Sequence, residues 1–157
     1  MAENTTHDTF VLDRAYPHSR DKLFRALSEP ALKARWFFAG NEAEAFDMEF
    51  RVGGREHQRR AMGYDTPFAG RFLENEGRYE DIVPGERIVM STSMTLAGKR
   101  ISSALITYEL SDDGSGCRLR FTHQAAFYEG ADGPVMRRGG WEKLLDCLAA
   151  SLEPASA

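Results

Sequence analysis

The side chains best suited to chemistry are two histidines and an arginine that alternate with other residues in strand-like segments. His57 and Arg59 share one face of a predicted strand, which we expect to be the face shared with Phe46 and Met48 of the preceding strand. His123 shares a face with large apolar neighbours in a later segment. A buried histidine without a hydrogen-bond partner costs on the order of 1–3 kcal/mol. The histidines are therefore interpreted either as satisfied core residues or as groups that hold the polar end of a ligand.

The spacing of these residues gives no support for a metal site or a known catalytic motif. The chain has four histidines and two cysteines, and Cys117 and Cys147 lie far apart, outside any C-x-x-C spacing. A metal held by His57 and His123 would need carboxylates or thiolates nearby, which the spacing does not supply. The patterns G-x-S-x-G and H-E-x-x-H and a phosphate-binding glycine loop are absent. We predict no metal, no cofactor and no catalytic residue, and two reduced thiols.

Two groups of charged residues lie on predicted strands. One is a basic run with acidic residues interspersed: Arg51, Arg55, Arg59 and Arg60, with Glu49 and Glu56. We interpret this run as a solvated sheet face and expect no nucleic-acid partner, because the net charge is −4 and nucleic-acid binders usually carry a strong basic face. The other group is Glu74, Glu76 and Glu80. An acid–base pair drawn from His123 and one of these carboxylates stays open.

Length and composition indicate a single cytoplasmic domain. The 157 residues suffice for one core, and 42% hydrophobic with 28% charged residues is ordinary for a globular protein. No apolar run approaches the roughly 20 residues that span a bilayer, and the N-terminus lacks the features of a secretory signal. We therefore expect no membrane insertion, and an ordered core between about residues 9 and 153.

Hydrophobic periodicity predicts the elements that position these residues. A strand over 9–16 precedes a helix capped by Ser19 and a short second helix that begins at Pro30 and ends at Gly40. The predicted strands that follow are 46–51, 55–62, 77–83, 87–94, 101–110 and 117–126. A final helix from about Pro134 to Leu152 carries one apolar face, formed by Trp141, Leu144, Leu145 and Leu148. Consecutive hairpins favour an antiparallel sheet.

Five segments in this order resemble a known family. Residues 46–55 resemble the F-x-M-x-x-R-x-G-G hairpin of the START-like superfamily branch related to the activator of the heat-shock-protein-90 ATPase. Residues 76–89 resemble its E-G-x-Y-x-x-I-x-P-x-E-R-I-V strand pair, and residues 117–123 its T-x-L-x-x-T-H strand, with Cys117 in place of threonine. Gly140-Trp141, and Pro30 with Trp36-Phe37, match its two helical motifs.

The resemblance implies an α+β helix-grip (START-like) fold. A curved antiparallel sheet of about six to seven strands would surround the long C-terminal helix, with two short helices after the first strand. Members of the superfamily bind lipids, sterols, polyketides or plant hormones in a cavity under the long helix, and some catalyse reactions there. Because fold does not determine function, the site itself must carry the argument.

We therefore expect non-catalytic binding of a small hydrophobic or amphipathic molecule in this cavity. The expected lining residues are Trp36, Phe46, Met48, His57, Arg59, Met90, Tyr108, Phe121, His123 and Trp141. His123 or Arg59 would hold the polar end of the ligand, and the loop over residues 127–133 would open as a gate. The alternatives are a filled interior with a protein-interaction module of co-chaperone type, or an enzyme that uses the same cavity.

Overall fold

One antiparallel sheet and a long helix form the architecture in the computed structural model, which describes residues 4–38, 43–62, 69–128 and 131–154. The elements in chain order are β1 (Thr6–Tyr16), α1 (Arg20–Ser28), α2 (Pro30–Lys33), β2 (Ala43–Met48), β3 (Arg55–Ala61), β4 (Phe72–Val83), β5 (Arg87–Leu96), β6 (Lys99–Asp113), β7 (Gly116–Phe127) and α3 (Pro134–Leu152). The seven strands lie in the order β1-β7-β6-β5-β4-β3-β2. This arrangement confirms the predicted α+β helix-grip fold.

The two short helices follow the capping signals in the sequence. Ser19 is the N-cap of α1, and its Oγ accepts a hydrogen bond from the backbone N–H of Lys22 at 3.1 Å. Pro30 begins α2, which ends at Lys33. The predicted helix is too long, because residues 34–38 form turns, and its predicted end at Gly40 lies outside the described residues. The turn after α2 buries Trp36 fully, and its indole N–H donates to the carbonyl oxygen of Ala26 at 2.9 Å. This bond fixes the turn against α1.

The final helix has the predicted bounds, and its apolar stripe enters the core. Trp141, Leu145 and Leu148 are buried, and Leu144 is half-buried. The axis of α3 runs nearest to β1 and α1, not to the middle of the sheet. Arg14 of β1 reaches it through an ion pair with Asp146 at 2.7 Å. The helix therefore covers the β1 end of the curved sheet most closely. No described helix is long and apolar enough to cross a membrane.

The hairpin between β2 and β3 depends on two glycines. Gly53 has a φ of +82°, a conformation that side chains disfavour. A Cβ on Gly54 would lie 2.0 Å from the carbonyl oxygen of Glu49, so that position has no room for a side chain. The backbones of Gly53 and Gly54 exchange hydrogen bonds with that of Tyr79 at 2.7 and 3.0 Å. The tip of the hairpin is therefore joined directly to β4.

Candidate functional site

The sheet has a concave face, which packs against α3, and a convex face, which points outward. Directly opposite residues of paired strands share a face. Across the sheet, Ala125 lies opposite Ala104, Ala104 opposite Thr92, and Thr92 opposite Gly77. Gly77 in turn lies opposite Glu56. Because this row runs beside the buried row that contains His123, we assign it to the concave face.

The expected inward orientation of His57 and Arg59 is wrong. Phe46 lies opposite Gln58 and Met48 opposite Glu56, so the even-numbered residues of β3 face inward. His57 instead lies opposite Asp47, with Nε2 3.3 Å from Glu74 Oε1. Arg59 stacks on the ring of Phe72 at 3.8 Å and pairs with Glu44. Side chains alternate along a strand, so an error of one residue in register exchanges the two faces.

The first inward polar group on β3 is Glu56, which was expected on a solvated face but is buried. Its Oε1 accepts hydrogen bonds from Lys33 Nζ at 2.6 Å and from the Tyr79 hydroxyl at 2.8 Å. Burial and then the Glu56 carboxylate raise the pKa of Tyr79 far above its ordinary value of 10.0. The pKa of Tyr108 is raised by the same two causes. A signal for this placement existed in the sequence, because a turn centred on Val52 puts Glu56 opposite Met48.

Gln58 and Arg60 follow on the same face. Gln58 is 2% exposed, and its Oε1 has no hydrogen-bond partner in the described parts of the chain. Arg60 Nε also has no hydrogen-bond partner there, while Arg60 Nη1 donates to the carbonyl oxygen of Phe38 at 3.1 Å. Burial lowers the pKa of the Arg60 guanidinium from its ordinary value. These two side chains were not predicted as site residues.

His123 lies at the opposite side of the concave face. It is 1% exposed, and its ring stacks on that of Phe10 with centroids 4.7 Å apart. Burial and then the nearby Arg137 cation lower its pKa to about 4, so the imidazole is neutral at pH 7. Its Nδ1 has no hydrogen-bond partner among the described residues. Arg137 is itself held by both carboxylate oxygens of Asp132, each at 2.8 Å, and donates to Ser102 Oγ at 2.9 Å.

Between these two polar regions runs a row of small residues, which we call the trough: Gly77, Thr92, Ala104 and Ala125. All four are half-buried. Larger residues stand on either side of it, among them Met90 and Ile106 in one neighbouring row and Met94 and Phe127 in the other. Since α3 runs nearest to β1, the β4 and β5 part of the trough lies away from the helix axis. The row carries little side-chain bulk of its own, although Met90 reaches over Gly77, where an added Cβ would lie 2.8 Å from Met90 Cε.

The aromatic residues of the expected lining lie together. The rings of Phe121 and Trp141 are 4.3 Å apart, and those of Tyr108 and Trp141 are 6.4 Å apart. The ring centroids of Phe46 and Phe37 are 6.5 Å apart. Among the other expected lining residues, Met90 and Trp36 are buried and Met48 is half-buried against the core. The structure therefore brings the expected lining residues to one interior, except for His57 and Arg59. Their contact with a ligand stays a prediction.

Two further expectations concern metal and the gate. Within the described residues, no group of three or more His, Cys, Asp or Glu side chains lies close enough to hold a metal ion. The cysteines of these segments are free thiols, with Cys117 buried and Cys147 half-buried. The predicted gate over residues 127–133 includes two residues, 129 and 130, that lie outside the described part of the chain. Its opening therefore stays a prediction.

A basic cleft of about 220 Å³ lies at a different place, where α1, the α2 region and the end of α3 meet. Its cations are Lys22, Arg25 and Arg35. Lys22 Nζ donates to the carbonyl oxygen of Leu152 at 2.7 Å, and Arg25 pairs with Glu29 at 3.1 Å. Two of the three charges are thus engaged within the protein. The concave face is the stronger candidate, since it contains buried polar atoms without partners.

Comparison with known proteins agrees with this architecture. A family model described as Activator of Hsp90 ATPase homolog 1-like protein matches residues 17–153. A solved structure from Rhizobium leguminosarum is similar at 31% identity and a TM-score of 0.88, over 97% of this chain and 98% of that one. The Mll3558 protein of Rhizobium loti is similar at 38% identity and a TM-score of 0.84, over 94% and 99%.

A third solved structure, that of protein CV1439 from Chromobacterium violaceum, is similar at 25% identity and a TM-score of 0.73. The similarity covers 94% of this chain and 99% of the CV1439 chain. No curated protein matched the sequence. The family match spans most of the chain and includes every strand after β1 and all of α3, and it agrees with the resemblance of the five sequence segments. The chain belongs to the Activator of Hsp90 ATPase homolog 1-like family.

Proposed function

We propose that the protein binds a small amphipathic molecule on the concave face, along the trough and beneath the flank of α3. The apolar body of the ligand would lie over Thr92 and Ala104, against the aromatic side chains around Trp141. Its polar atoms would reach into the flanking rows, to Gln58 and Arg60 on β3, which lie opposite Asn75 and Leu73, and to His123 on β7, which lies opposite Ile106. Such a site, mostly apolar with a few convergent polar groups, is the usual form of a small-molecule site.

The observation that carries this proposal is the set of buried polar atoms without partners. Gln58 Oε1, Arg60 Nε and His123 Nδ1 are the buried side-chain atoms of the described residues that have no hydrogen bond. All three residues belong to the concave face. Leaving such an atom unpaired costs about 1–3 kcal/mol, so folded proteins seldom bury one without a partner. A ligand with polar atoms at its ends would supply those partners.

Two glycines give the helix an open flank. A Cβ on Gly139 or Gly140 would meet no atom within 4 Å, and both glycines are exposed. Successive residues of a helix are rotated by 100° around its axis, so Gly140 lies about 200° around the axis of α3 from Arg138. The guanidinium of Arg138 lies over the Phe10 ring of β1. Gly140 therefore lies on the flank of α3 that faces away from β1. A ligand would reach the trough from this side.

The test is a titration with N-phenyl-1-naphthylamine, an uncharged probe whose fluorescence rises in apolar surroundings. We expect saturable binding at one site. Thr92→Phe should abolish it, because the new ring would occupy the trough. Ser93→Phe is the matched control, since Ser93 lies on the convex face of the same strand and its variant should bind as the wild type does. Thermal unfolding of both variants checks that each is folded.

Failure of the wild-type protein to bind the probe saturably, or equal loss of binding in both variants, would contradict the proposal. A protein-interaction module would instead need a contiguous exposed apolar patch. The exposed large apolar side chains of the described residues are Val11, Val52, Phe72, Leu105, Val135 and Met136. Small-molecule binding is the better-supported function, because the buried polar atoms without partners lie on the concave face.

A further inference from the structure

We propose that the ligand is an organic carboxylate and that Arg60 binds its charged group. This inference rests on the proposed function, because it names the chemical class of the molecule in the trough. It concerns a side chain that the sequence placed in a solvated basic run.

Both buried cations of the described concave face have a carboxylate partner, whereas the half-buried Arg60 has none among the described residues. The Lys33 cation is paired with Glu56 at 2.6 Å. The Arg137 cation is paired with Asp132 at 2.8 Å. Arg60 forms no ion pair with any carboxylate of the described residues, and its one hydrogen-bond acceptor there is the carbonyl oxygen of Phe38. Among the described side chains the Arg60 cation thus has no anionic partner, and a monoanionic ligand would supply one.

The free atoms of this group suit a carboxylate. Arg60 Nε is buried and unpartnered while Nη1 is engaged, so an N–H of the guanidinium is available for an acceptor. Arginine presents its donors in a planar fork that matches a carboxylate. Gln58 lies two residues away on the same face, and rotation of its amide would offer an N–H₂ donor to the second oxygen. Two side chains can thus hold one planar anion.

The surroundings of Arg60 require that the rest of the ligand be apolar. Arg60 lies directly opposite Leu73, which is buried in a cluster with Leu96 and Ile101. On the other side, Phe38 and Phe46 are in edge contact at 5.2 Å. A small hydrophilic anion would lose its hydration there without gaining apolar contacts. A carboxylate on a hydrocarbon body would place each part against a matching surface.

The experiment measures how well decanoate and decan-1-ol displace N-phenyl-1-naphthylamine, with direct calorimetry of decanoate as a second readout. The two competitors have the same number of carbon atoms and differ in charge. For the wild type we expect decanoate to bind about tenfold or more tightly than the alcohol. Arg60→Gln should remove this preference and leave alcohol and probe binding within about twofold. Arg60→Lys should restore part of it, because the charge returns without the fork.

Arg59→Gln is the matched control, since it removes the neighbouring charge from the convex face and should preserve the preference for decanoate. Equal binding of both competitors to the wild type, or equal effects of Arg60→Gln and Arg59→Gln, would overturn the carboxylate assignment while probe binding still supports the proposed site. Absence of saturable binding of the probe and of decanoate would overturn both proposals. Probe binding by Arg60→Gln shows that this variant folds.

Discussion

Lys33 Nζ lies 2.6 Å from Glu56 Oε1, and the two side chains are 2% and 6% exposed. The pair joins α2 to β3, while the Tyr79 hydroxyl joins the same carboxylate oxygen to β4. The ammonium also lies 4.4 Å from the ring centroid of Phe37. A single carboxylate thus connects the helical turn over the site to the hairpin that carries Gln58 and Arg60. Its first role is to position these elements.

Breaking this pair should destabilise the protein strongly. Lys33→Met or Glu56→Gln leaves a buried partner without compensation, and we expect the free energy of unfolding to fall by about 3–5 kcal/mol. The double variant Lys33→Met/Glu56→Gln should lose less than the sum of the two single losses. Urea denaturation measures the free energy of unfolding of each variant. Losses below about 1 kcal/mol for both single variants would mean that the pair contributes little.

Trp141 should be a main anchor of α3. It is 7% exposed, and its indole contacts the rings of Phe121, Tyr108 and Phe37. Trp141→Ala should lower the free energy of unfolding by about 3–5 kcal/mol, because the truncation leaves a cavity in the core. Val135→Ala on the same helix is the control, since Val135 is 87% exposed and its loss should be small. Similar urea midpoints for both variants would exclude this role.

His123 should make the protein less stable in acid. Its pKa falls from 6.5 to about 4 on folding, because of burial and the Arg137 charge, with Asp132 opposing. Between these two pH values the unfolded chain binds a proton that the folded protein does not, so stability falls as pH drops through this window. The full effect is roughly 3 kcal/mol, complete near pH 4. The matched comparison is His123→Asn, whose unfolding free energy should fall less between pH 7 and pH 4; identical pH profiles would refute the assignment.

Gly139 should be replaceable with a gain in stability. It lies inside α3, and an added Cβ would meet no atom within 4 Å. Glycine in a helix interior costs up to about 1 kcal/mol relative to alanine, so Gly139→Ala should raise the melting temperature. Gly98→Ala is the opposite case, because its φ of +84° is strained for a side chain. A lower melting temperature for Gly139→Ala would show that its bare backbone is needed.

Local signals in the sequence predicted α1 and α3 well, whereas the second helix was predicted to run to Gly40 and α2 ends at Lys33. The bounds of α3 and the cap at Ser19 agree with the structure, because an apolar stripe and a capping side chain act within a few turns of the chain. The strands were also found, although several run longer than predicted; β4 begins at Phe72, not at Gly77. The ends of strands differ from the prediction because pairing with a neighbouring strand extends a strand beyond its alternating apolar residues.

The polar part of the site was missed for a physical reason. Alternation shows which residues of a strand share a face, but only apolar residues mark the face that turns inward. The segment Arg55–Ala61 contains no large apolar side chain, so nothing in it distinguishes Glu56 and Gln58 from His57 and Arg59. Burial of Glu56 depends on Lys33, which lies 23 residues earlier in the chain. Such a partnership is set by tertiary structure.

The pairing of β1 with β7 has a consequence for how the protein is made. Thr6 lies opposite Phe127 and Tyr16 opposite Cys117, so the first strand completes the sheet only with the last. On a ribosome, β2 to β5 can pair as neighbouring hairpins while β1 still waits for residues more than a hundred positions later. We expect pulse-labelled hydrogen exchange to protect the amides of β1 last, since β7 can already pair with β6 as a neighbouring hairpin. The Arg60 side of the concave face would then take shape during synthesis, and the His123 side only near its end.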